Sequence, residues 1–236
     1  MTLVLIVTRP EPKGAEFAKA IRQDWPEPLD VILSPLLEIV PLMRDRDLSG
    51  LSAVIFTSAN GVAQASRLGV PAALPAYCVG ERTAAAASVA GFDAIAGPGD
   101  AVQLAEMILE QRPVGSLAHI RGRHARGNLA ERISKAGLPC HDVVAYDQRA
   151  LPLTPEAKKT LQEQNPVVVP LFSARTCTIF EQAGPFAAPV HLVAISAATL
   201  PRVLTVATCT VAATPDGAAM RDATMGCLRG VARGGG

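Results

Sequence analysis

A strand–turn–helix pattern that occurs twice constrains the fold of this chain more than any other feature of its sequence. In the first copy, the apolar run Ala53–Phe56 ends at Thr57-Ser58 and is followed by apolar residues at helical spacing. In the second copy, Val169–Phe172 ends at Ser173, which lies 115 residues after Ser58. Short apolar runs bounded by turn residues are typical of buried strands. The free backbone N–H groups at the start of the following helix suit an anion.

Further matches occur at nearly the same offset. Gly80 and Ser196 lie 116 residues apart, and each is followed three residues later by a threonine, Thr83 and Thr199. A third pair of turns contains Pro98 and Pro215, which lie 117 residues apart. Three matched turns at nearly one offset indicate an internal duplication into two α/β halves.

The duplication is permuted, because the N-terminal segment resembles a part of the other half. Leu3–Arg9 is similar to Leu117–Arg121, and each precedes a helical pattern. We therefore predict an α/β fold of two similar parallel-sheet domains joined by a two-stranded linker, with the second domain inserted into the first. The predicted ranges are 1–38 and 149–236 for the discontinuous first domain, 44–142 for the inserted domain, and 39–43 and 143–148 for the linker strands.

Local residue chemistry predicts several element boundaries. Asp100 is placed to cap a helix over Ala101–Gln111, and a further helix is predicted over Ala125–Ala136. Pro170 has no backbone N–H, which predicts that its strand lies at a sheet edge or bulges there. The glycine-rich tail Arg229–Gly236 is predicted to be frayed.

Composition argues against several classes of protein. The formal net charge is +1, and no basic cluster is dense enough to predict nucleic acid as a partner. No apolar run approaches the roughly 20 residues of a membrane helix, and Thr2–Val7 lacks the basic start of a signal peptide. We expect a cytoplasmic protein with no membrane partner that acts as a monomer.

Neither the cysteines nor the histidines predict a metal site. The five cysteines are scattered and mostly lie in apolar runs, which favours buried free thiols in a reducing compartment. The four histidines form no recognised ligand spacing. We therefore expect no metal.

Several short pieces are distributed along the chain. They are Thr8-Arg9-Pro10, Phe56-Thr57-Ser58 with Asn60-Gly61-Val62, Val79-Gly80 with Thr83-Ala84, Ile120-Arg121-Gly122, Val144-Ala145-Tyr146, Phe172-Ser173, and Ala194-Ile195 with Thr199. Their order and spacing resemble the uroporphyrinogen-III synthase family over nearly the whole chain. The resemblance implies cyclisation of hydroxymethylbilane to uroporphyrinogen III in an interdomain cleft, with loss of water and inversion of the last pyrrole ring. It also implies that no cofactor is needed.

The implied partner is a linear tetrapyrrole with eight carboxylates, whose binding needs many N–H and hydroxyl donors. Tyr146 becomes the catalytic candidate, donating a proton or hydrogen bond to the departing hydroxyl group. Arg121 is a further possible carboxylate partner, and Ser196 stands where the family usually has glycine. The substrate-binding candidates are Arg9, Thr57, Ser58, Asn60, Thr83, Ser173, Ser196 and Thr199.

Simpler interpretations remain open beside these. One alternative for Tyr146 is an amphipathic aromatic residue that is half-buried at a domain junction. One alternative for Ser58 and Ser173 is simple helix capping. The chain could be a non-catalytic two-domain module that binds a polyanionic small ligand. A nucleotide-binding enzyme is disfavoured, because Gly80–Ala84 and Gly97–Gly99 match no phosphate-binding loop.

Overall fold

The computed structural model describes residues 3–42, 48, 50–125, 127–203 and 205–234. The predicted start of the inserted domain at residue 44, and residue 43 of the predicted linker, lie outside these ranges. The strands are β1 (Leu3–Val7), β2 (Leu29–Leu33), β3 (Leu37–Pro41), β4 (Leu51–Phe56), β5 (Pro75–Cys78), β6 (Asp93–Ala96), β7 (Ser116–Gly122), β8 (Cys140–Ala150), β9 (Val167–Leu171), β10 (Val190–Ala194) and β11 (Thr208–Val211). The helices are α1 (Lys13–Asp24), α2 (Ala59–Ala65), α3 (Glu81–Val89), α4 (Ala101–Gln111), α5 (Leu129–Lys135), α6 (Pro155–Thr160), α7 (Ala174–Gln182) and α8 (Gly217–Gly234).

The chain divides into two compact units. Unit 1 comprises Met1–Glu38 with Arg149–Gly236, and unit 2 comprises Ile39–Gln148. Unit 1 contains a five-stranded sheet in the order β11-β10-β9-β1-β2, and all of its pairings are parallel. The predicted α/β fold with parallel sheets is confirmed.

The sheet of unit 2 has six strands in the order β3-β8-β7-β4-β5-β6. The ladders that join β8, β7, β4, β5 and β6 are parallel. At the β3 edge, the Leu42 N–H donates to the Ala145 carbonyl. If β3 is left out, the strand order of unit 2 is β8-β7-β4-β5-β6. The order of unit 1 from its other edge is β2-β1-β9-β10-β11, so β7 corresponds to β1 and β8 corresponds to β2. The N-terminal strands thus take the places that β7 and β8 occupy in unit 2.

The registers allow individual positions of the two sheets to be matched. Ser58 follows β4 and Ser173 follows β9, so their offset places Ala53 at the position of Val168. Ala53 pairs with Leu117, and Val168 pairs with Leu5. Leu5 on β1 therefore matches Leu117 on β7, and two residues further along each strand Val7 matches His119.

Each sheet is covered on both faces, because alternate residues of its strands enter different cores. On β1, Val4 and Ile6 belong to one apolar cluster, whereas Leu3, Leu5 and Val7 belong to another. The sheet of unit 2 likewise separates two clusters. Burying a large apolar side chain contributes about 1.5–3 kcal/mol, so these layers hold the strand ends in place.

Pro170 does not lie on an edge strand, and the prediction of an edge or a bulge was wrong. Its strand, β9, lies between β10 and β1, and Pro170 pairs in continuous register with Val193. The ladder from β9 to β1 extends only to Leu5 and Val168. Beyond it, the Thr8 hydroxyl donates to the Pro170 carbonyl. Pro170 cannot donate an N–H toward β1, and no such donor is needed there because the β1 ladder has already ended.

Two predicted helix ends also differ from the structure. Helix α8 continues to Gly234, so the prediction of a frayed tail was wrong for residues 229–234; residues 235 and 236 are not described. Met220, Met225 and Leu228 on one face of α8 are buried in the core, which stabilises the helix despite its glycines. Helix α5 begins at Leu129, four residues later than predicted, after Asn128.

Candidate active site

The turn that follows β4 is built by a helix cap. Ser58 has extended backbone angles, φ −159° and ψ 152°, and its side-chain oxygen accepts a hydrogen bond from the Gly61 N–H at 3.2 Å. Gly61 allows α2 to lie directly on the sheet, because a Cβ atom there would stand 2.6 Å from the Ile120 carbonyl oxygen. The cap and this close contact fix the position of the Ser58 hydroxyl at the carboxyl end of β4.

Tyr146 lies beside this turn. Its phenolic oxygen is 3.0 Å from the Ser58 hydroxyl oxygen, and only 5% of the residue is exposed. The ring packs against Gly122, where a Cβ atom would come within 2.6 Å of the ring. Glycine at the end of β7 is therefore what leaves room for the tyrosine.

Either hydroxyl can be the donor of the hydrogen bond between Ser58 and Tyr146. In one arrangement the Ser58 oxygen accepts the Gly61 N–H and donates its own proton to the Tyr146 oxygen. In that arrangement the phenolic proton of Tyr146 is directed elsewhere and can be given to a bound group. The arrangement suits a neutral phenol that acts as a general acid.

Both hydroxyl groups line a cavity of about 240 Å³ within unit 2. Basic groups lie near it: His124 Nε2 is 3.1 Å from one oxygen of Asp147, and Arg123 is 2.7 Å from the other. The lining side chains include hydroxyl, imidazole, phenol and amide groups, which suit a polar ligand. They belong to Thr57, Ser58, His124, Tyr146 and Gln148, and Gly122 also lines the cavity.

A chain of polar side chains continues from the cavity into the sheet. The Thr57 hydroxyl oxygen is 3.1 Å from His119 Nε2, and His119 Nδ1 is 2.9 Å from Asp142 Oδ1. Arg121 Nε lies 2.9 Å from the other oxygen of Asp142. Burial acts to raise the pKa of the Asp142 carboxyl, but the hydrogen bond from His119 and the nearby Arg121 guanidinium outweigh burial and lower that pKa below its ordinary value.

The matched turn in unit 1 has the same cap but a different partner. Ser173 has φ −165° and ψ 153°, and its oxygen accepts the Thr176 N–H. Its hydroxyl lies 2.9 Å from the hydroxyl of Thr176. The neighbouring Arg9 guanidinium lies 4.3 Å from the centre of the Phe172 ring, a distance at which cation–π attraction operates.

The remaining predicted binding residues differ in exposure. Ser196 is partly exposed, and its hydroxyl lies 3.4 Å from that of Thr199. Thr83 and Thr199, at matched positions, are only 6% and 2% exposed. Asn60 is partly exposed in the first turn of α2. The structure thus brings Thr57 and Ser58 to one cavity with Tyr146, whereas Thr83 is not part of its lining.

Sequence reasoning missed His119 and Asp142. The histidines were considered only as metal ligands at short spacings, and His119 and Asp142 lie on different strands, 23 residues apart. The signal that could have found them is a histidine inside the apolar run of a buried strand, since a buried imidazole needs partners. Across the described residues, no three potential ligand side chains are grouped so that they could hold a metal ion.

The cysteines offer no activated nucleophile near this site. Burial raises the pKa of the Cys78 thiol to about 11, and burial with the charge of Asp142 raises that of Cys140 to about 12. The thiolate is the reactive form. Both thiols therefore stay protonated at neutral pH. All five cysteines are free thiols, and Cys78 and Cys177 are buried as the sequence predicted. The prediction of burial was wrong for the other three, because Cys140 and Cys227 are only partly buried and Cys209 is exposed.

A larger cavity of about 670 Å³ lies in unit 1, but it holds none of the predicted site residues. It is lined by Pro166, Pro189 and Thr208 at the amino ends of the strands, and by glycines of α8. Ligands of open α/β sheets bind at the carboxyl ends of the strands. The cavity beside Ser58, after the carboxyl end of β4, is therefore the better candidate.

Comparison with known proteins agrees with the sequence resemblance. The sequence model of the family described as uroporphyrinogen-III synthase HemD matches residues 18–222. A uroporphyrinogen-III synthetase structure from Helicobacter pylori superposes with a TM-score of 0.65 at 16% identity, covering 94% of this chain and 97% of that one. A mutant uroporphyrinogen III synthase from the extremely thermophilic bacterium Thermus thermophilus gives a TM-score of 0.52 at 16% identity, covering 99% and 98%.

These structural likenesses show a shared fold, and the family match covers most of the chain. No curated protein matches the chain by sequence. Within the described residues, no helix is long and apolar enough to span a membrane.

Proposed function

The chain belongs to the uroporphyrinogen-III synthase family, and we propose that the turn carrying Thr57 and Ser58, with Tyr146, is the site of its reaction. The enzyme is a lyase of tetrapyrrole biosynthesis that cyclises hydroxymethylbilane to uroporphyrinogen III. The observation that supports this site is the 3.0 Å contact between the Ser58 and Tyr146 hydroxyl groups beside a polar cavity.

Tyr146 acts as the acid that helps the hydroxyl group leave. Its proton joins that hydroxyl, the carbon–oxygen bond breaks, and water departs while the electron-rich pyrrole supplies electrons to the carbon. The freed carbon then bonds to the substituted α-carbon of the last pyrrole, which gives a spiro intermediate. The bond from that α-carbon to its original bridging carbon breaks, and the bridging carbon bonds to the unsubstituted α-carbon of the same ring, which is thereby inverted. A proton released as the final ring regains its aromatic form restores the phenol. In this proposal Ser58 is the donor to the Tyr146 oxygen 3.0 Å away, which keeps the phenolic proton directed at substrate.

The remaining polar turns bind the carboxylates of the substrate. Helix N-termini offer free N–H groups and a partial positive charge, and in this proposal Ser58 and Ser173 begin two such helices. Ser196 and Arg9 add a hydroxyl and a guanidinium in unit 1. Holding one folded conformer of the bilane accounts for most of the rate, because well-oriented groups react far faster than freely diffusing ones.

We propose that units 1 and 2 are the two domains predicted from the sequence, with unit 2 inserted into unit 1. In this interpretation β3 and β8 are the linker strands, since each runs from one unit into the other. The enzyme works as a monomer, without a cofactor and without a nucleic-acid partner. Activity that survives exhaustive dialysis against a chelator would support the cofactor-free part of this proposal.

The experiment that tests the function mixes the pure protein with freshly generated hydroxymethylbilane and separates the products by chromatography. We expect the type III isomer in excess over the type I isomer, which forms without enzyme. The competing hypothesis, a non-catalytic module that binds a polyanionic ligand, predicts only the type I isomer at the uncatalysed rate.

A further inference from the structure

His119 is a buried imidazole whose two nitrogens both have partners. It is only 4% exposed, and its nitrogens lie 2.9 Å from Asp142 and 3.1 Å from the Thr57 hydroxyl. Thr57 also lines the cavity that holds Ser58 and Tyr146. His119 therefore contacts the cavity only through Thr57, and its protonation state determines what Thr57 can offer to a ligand.

The hydrogen bond at Nδ1 leaves one question open, which is whether Nε2 of His119 carries a proton. An ionised carboxylate can only accept hydrogen bonds, so Nδ1 of His119 must carry a proton to donate to Asp142. If Nε2 is unprotonated, it accepts the proton of Thr57, and the Thr57 oxygen keeps its lone pairs for the cavity. If Nε2 is protonated, it donates to Thr57, and the Thr57 hydroxyl becomes a donor toward the cavity.

The local charge favours the neutral imidazole. Asp142 is already balanced by Arg121, whose Nε lies 2.9 Å from its second oxygen. A second proton on His119 would give this buried group a net positive charge, and burying an unbalanced charge costs free energy. The neutral form, with the proton on Nδ1, satisfies Asp142 and Thr57 together.

The other groups packed on this face of the sheet do not change that balance. Tyr77 on β5 belongs to the same core, and burial raises the pKa of its phenol, so it stays neutral. The ion-paired charged residues of α4 and α5 are roughly half exposed or more. They are Glu106 with Arg132, and Glu131 with Lys135.

We propose that His119 is a positioning residue that holds Thr57 as a hydrogen-bond acceptor toward the cavity, so that Thr57 receives a pyrrole N–H of the substrate rather than a carboxylate. This inference rests on the proposed site. It reverses the role that the sequence suggested for Thr57, which was that of a donor. A carboxylate placed at Thr57 would meet lone pairs, whereas a pyrrole N–H would find its acceptor. The pair thus orients a ring of the bilane at Thr57.

The direct test measures the His119 tautomer by nitrogen-15 NMR of the ligand-free wild-type protein, with His119→Asn used to assign the signal. At neutral pH we expect a protonated Nδ1 and an unprotonated Nε2. A protonated Nε2 in the free protein would overturn the proposal. This readout needs no activity, so its failure is distinct from failure of the proposed function, which a lack of type III product would show.

The kinetic test compares His119→Asn and Thr57→Val, with Thr57→Ser as the control that keeps the hydroxyl. An asparagine amide can replace Nδ1 beside Asp142 but does not reach Thr57. Both test variants should lower kcat/KM for hydroxymethylbilane about tenfold, mainly through KM, as expected for one lost hydrogen bond. Thr57→Ser should stay within about twofold of wild type. Wild-type KM in both test variants would refute the role.

Discussion

The turn at Ser58 in unit 2 and the turn at Ser173 in unit 1 have the same backbone but different surroundings. Their φ values, −159° and −165°, differ by only a few degrees, and each serine caps its helix by accepting the N–H three residues later. In unit 2 the serine hydroxyl contacts Tyr146 on another strand. In unit 1 it contacts Thr176 in its own helix.

The contrast extends into the strands behind each turn. By the matched registers, the unit 1 counterparts of Thr57, His119 and Asp142 are Phe172, Val7 and Leu33, since His119 pairs with Asp142 and Val7 pairs with Leu33. The three hydrogen-bonded polar side chains of unit 2 are thus replaced by three apolar side chains in unit 1. The shared cap is a requirement of the fold, and the side chains on adjacent strands distinguish a reactive turn from one suited to binding alone.

The largest expected effect comes from Tyr146→Phe. Removing the proposed acid should lower turnover about a hundredfold, the lower end of what a single general acid contributes, because the pyrrole itself assists the departing hydroxyl. The product should remain type III, since ring inversion depends on how the whole bilane is held. The matched control is Tyr77→Phe, which removes the other tyrosine hydroxyl of the same unit.

Initial rates and the ratio of type III to type I product check this prediction. An unchanged rate for Tyr146→Phe would remove its acid role. A switch to type I product would make Tyr146 a positioning residue instead.

The next largest effect is expected from Ser58→Glu and Ser173→Glu, which compare the two turns directly. If both turns bind substrate carboxylates, each added charge should raise KM about tenfold or more through like-charge repulsion. Substitution by glutamine at the same positions controls for size. A rise in KM for only one of the two glutamate variants would show that the turns have different ligands.

The strand–turn–helix architecture was predictable because it is encoded locally. Apolar runs ending in Ser58 and Ser173 give both a buried strand and a helix cap, and the Asp100 cap and the helix Ala101–Gln111 were placed correctly for the same reason. The repeated offset also gave the strand correspondence between the two units.

The polar chain was not predictable in this way, because it depends on which strands become neighbours. Thr57 and His119 are 62 residues apart, and no spacing rule links residues that meet only through sheet pairing. The prediction for Pro170 was wrong for a related reason: a proline is tolerated in this central strand because the neighbouring ladder stops before it. Local residue chemistry predicts turns and caps, whereas contacts between strands require the topology.

A smaller effect is expected from Ser58→Ala and Ser173→Ala, which remove the two caps. Each should reduce the free energy of unfolding by about 1 kcal/mol and lower the melting temperature by about 2–4 °C. Only Ser58→Ala should also reduce kcat, because only Ser58 contacts Tyr146. Thermal unfolding and kcat measured on both variants test this, and an equal loss of kcat in the two would contradict the contrast between the turns.

The smallest effect concerns the acid stability that Asp142 gives unit 2 and that Leu33, at its matched position in unit 1, cannot give. The pKa of Asp142 is lowered in the folded state, so the folded protein favours the ionised carboxylate more than the unfolded chain does. The sign follows from linkage: this stabilisation is fully present above the unfolded value, about 3.9, and is lost as pH falls through the lower folded value. Because the Asp142 side chain is 34% exposed, solvent screening keeps the effect at about 1 kcal/mol or less.

Urea unfolding of wild type and Asp142→Asn between pH 7 and pH 3 measures that contribution. The wild type should be more stable by a constant amount down to about pH 5, and the difference should shrink below about pH 4, where the unfolded chain binds the proton before the folded protein does. Asp30→Asn, on the strand of unit 1 that matches β8, controls for the loss of one negative charge. A difference that grows toward low pH would mean that the carboxylate destabilises the fold.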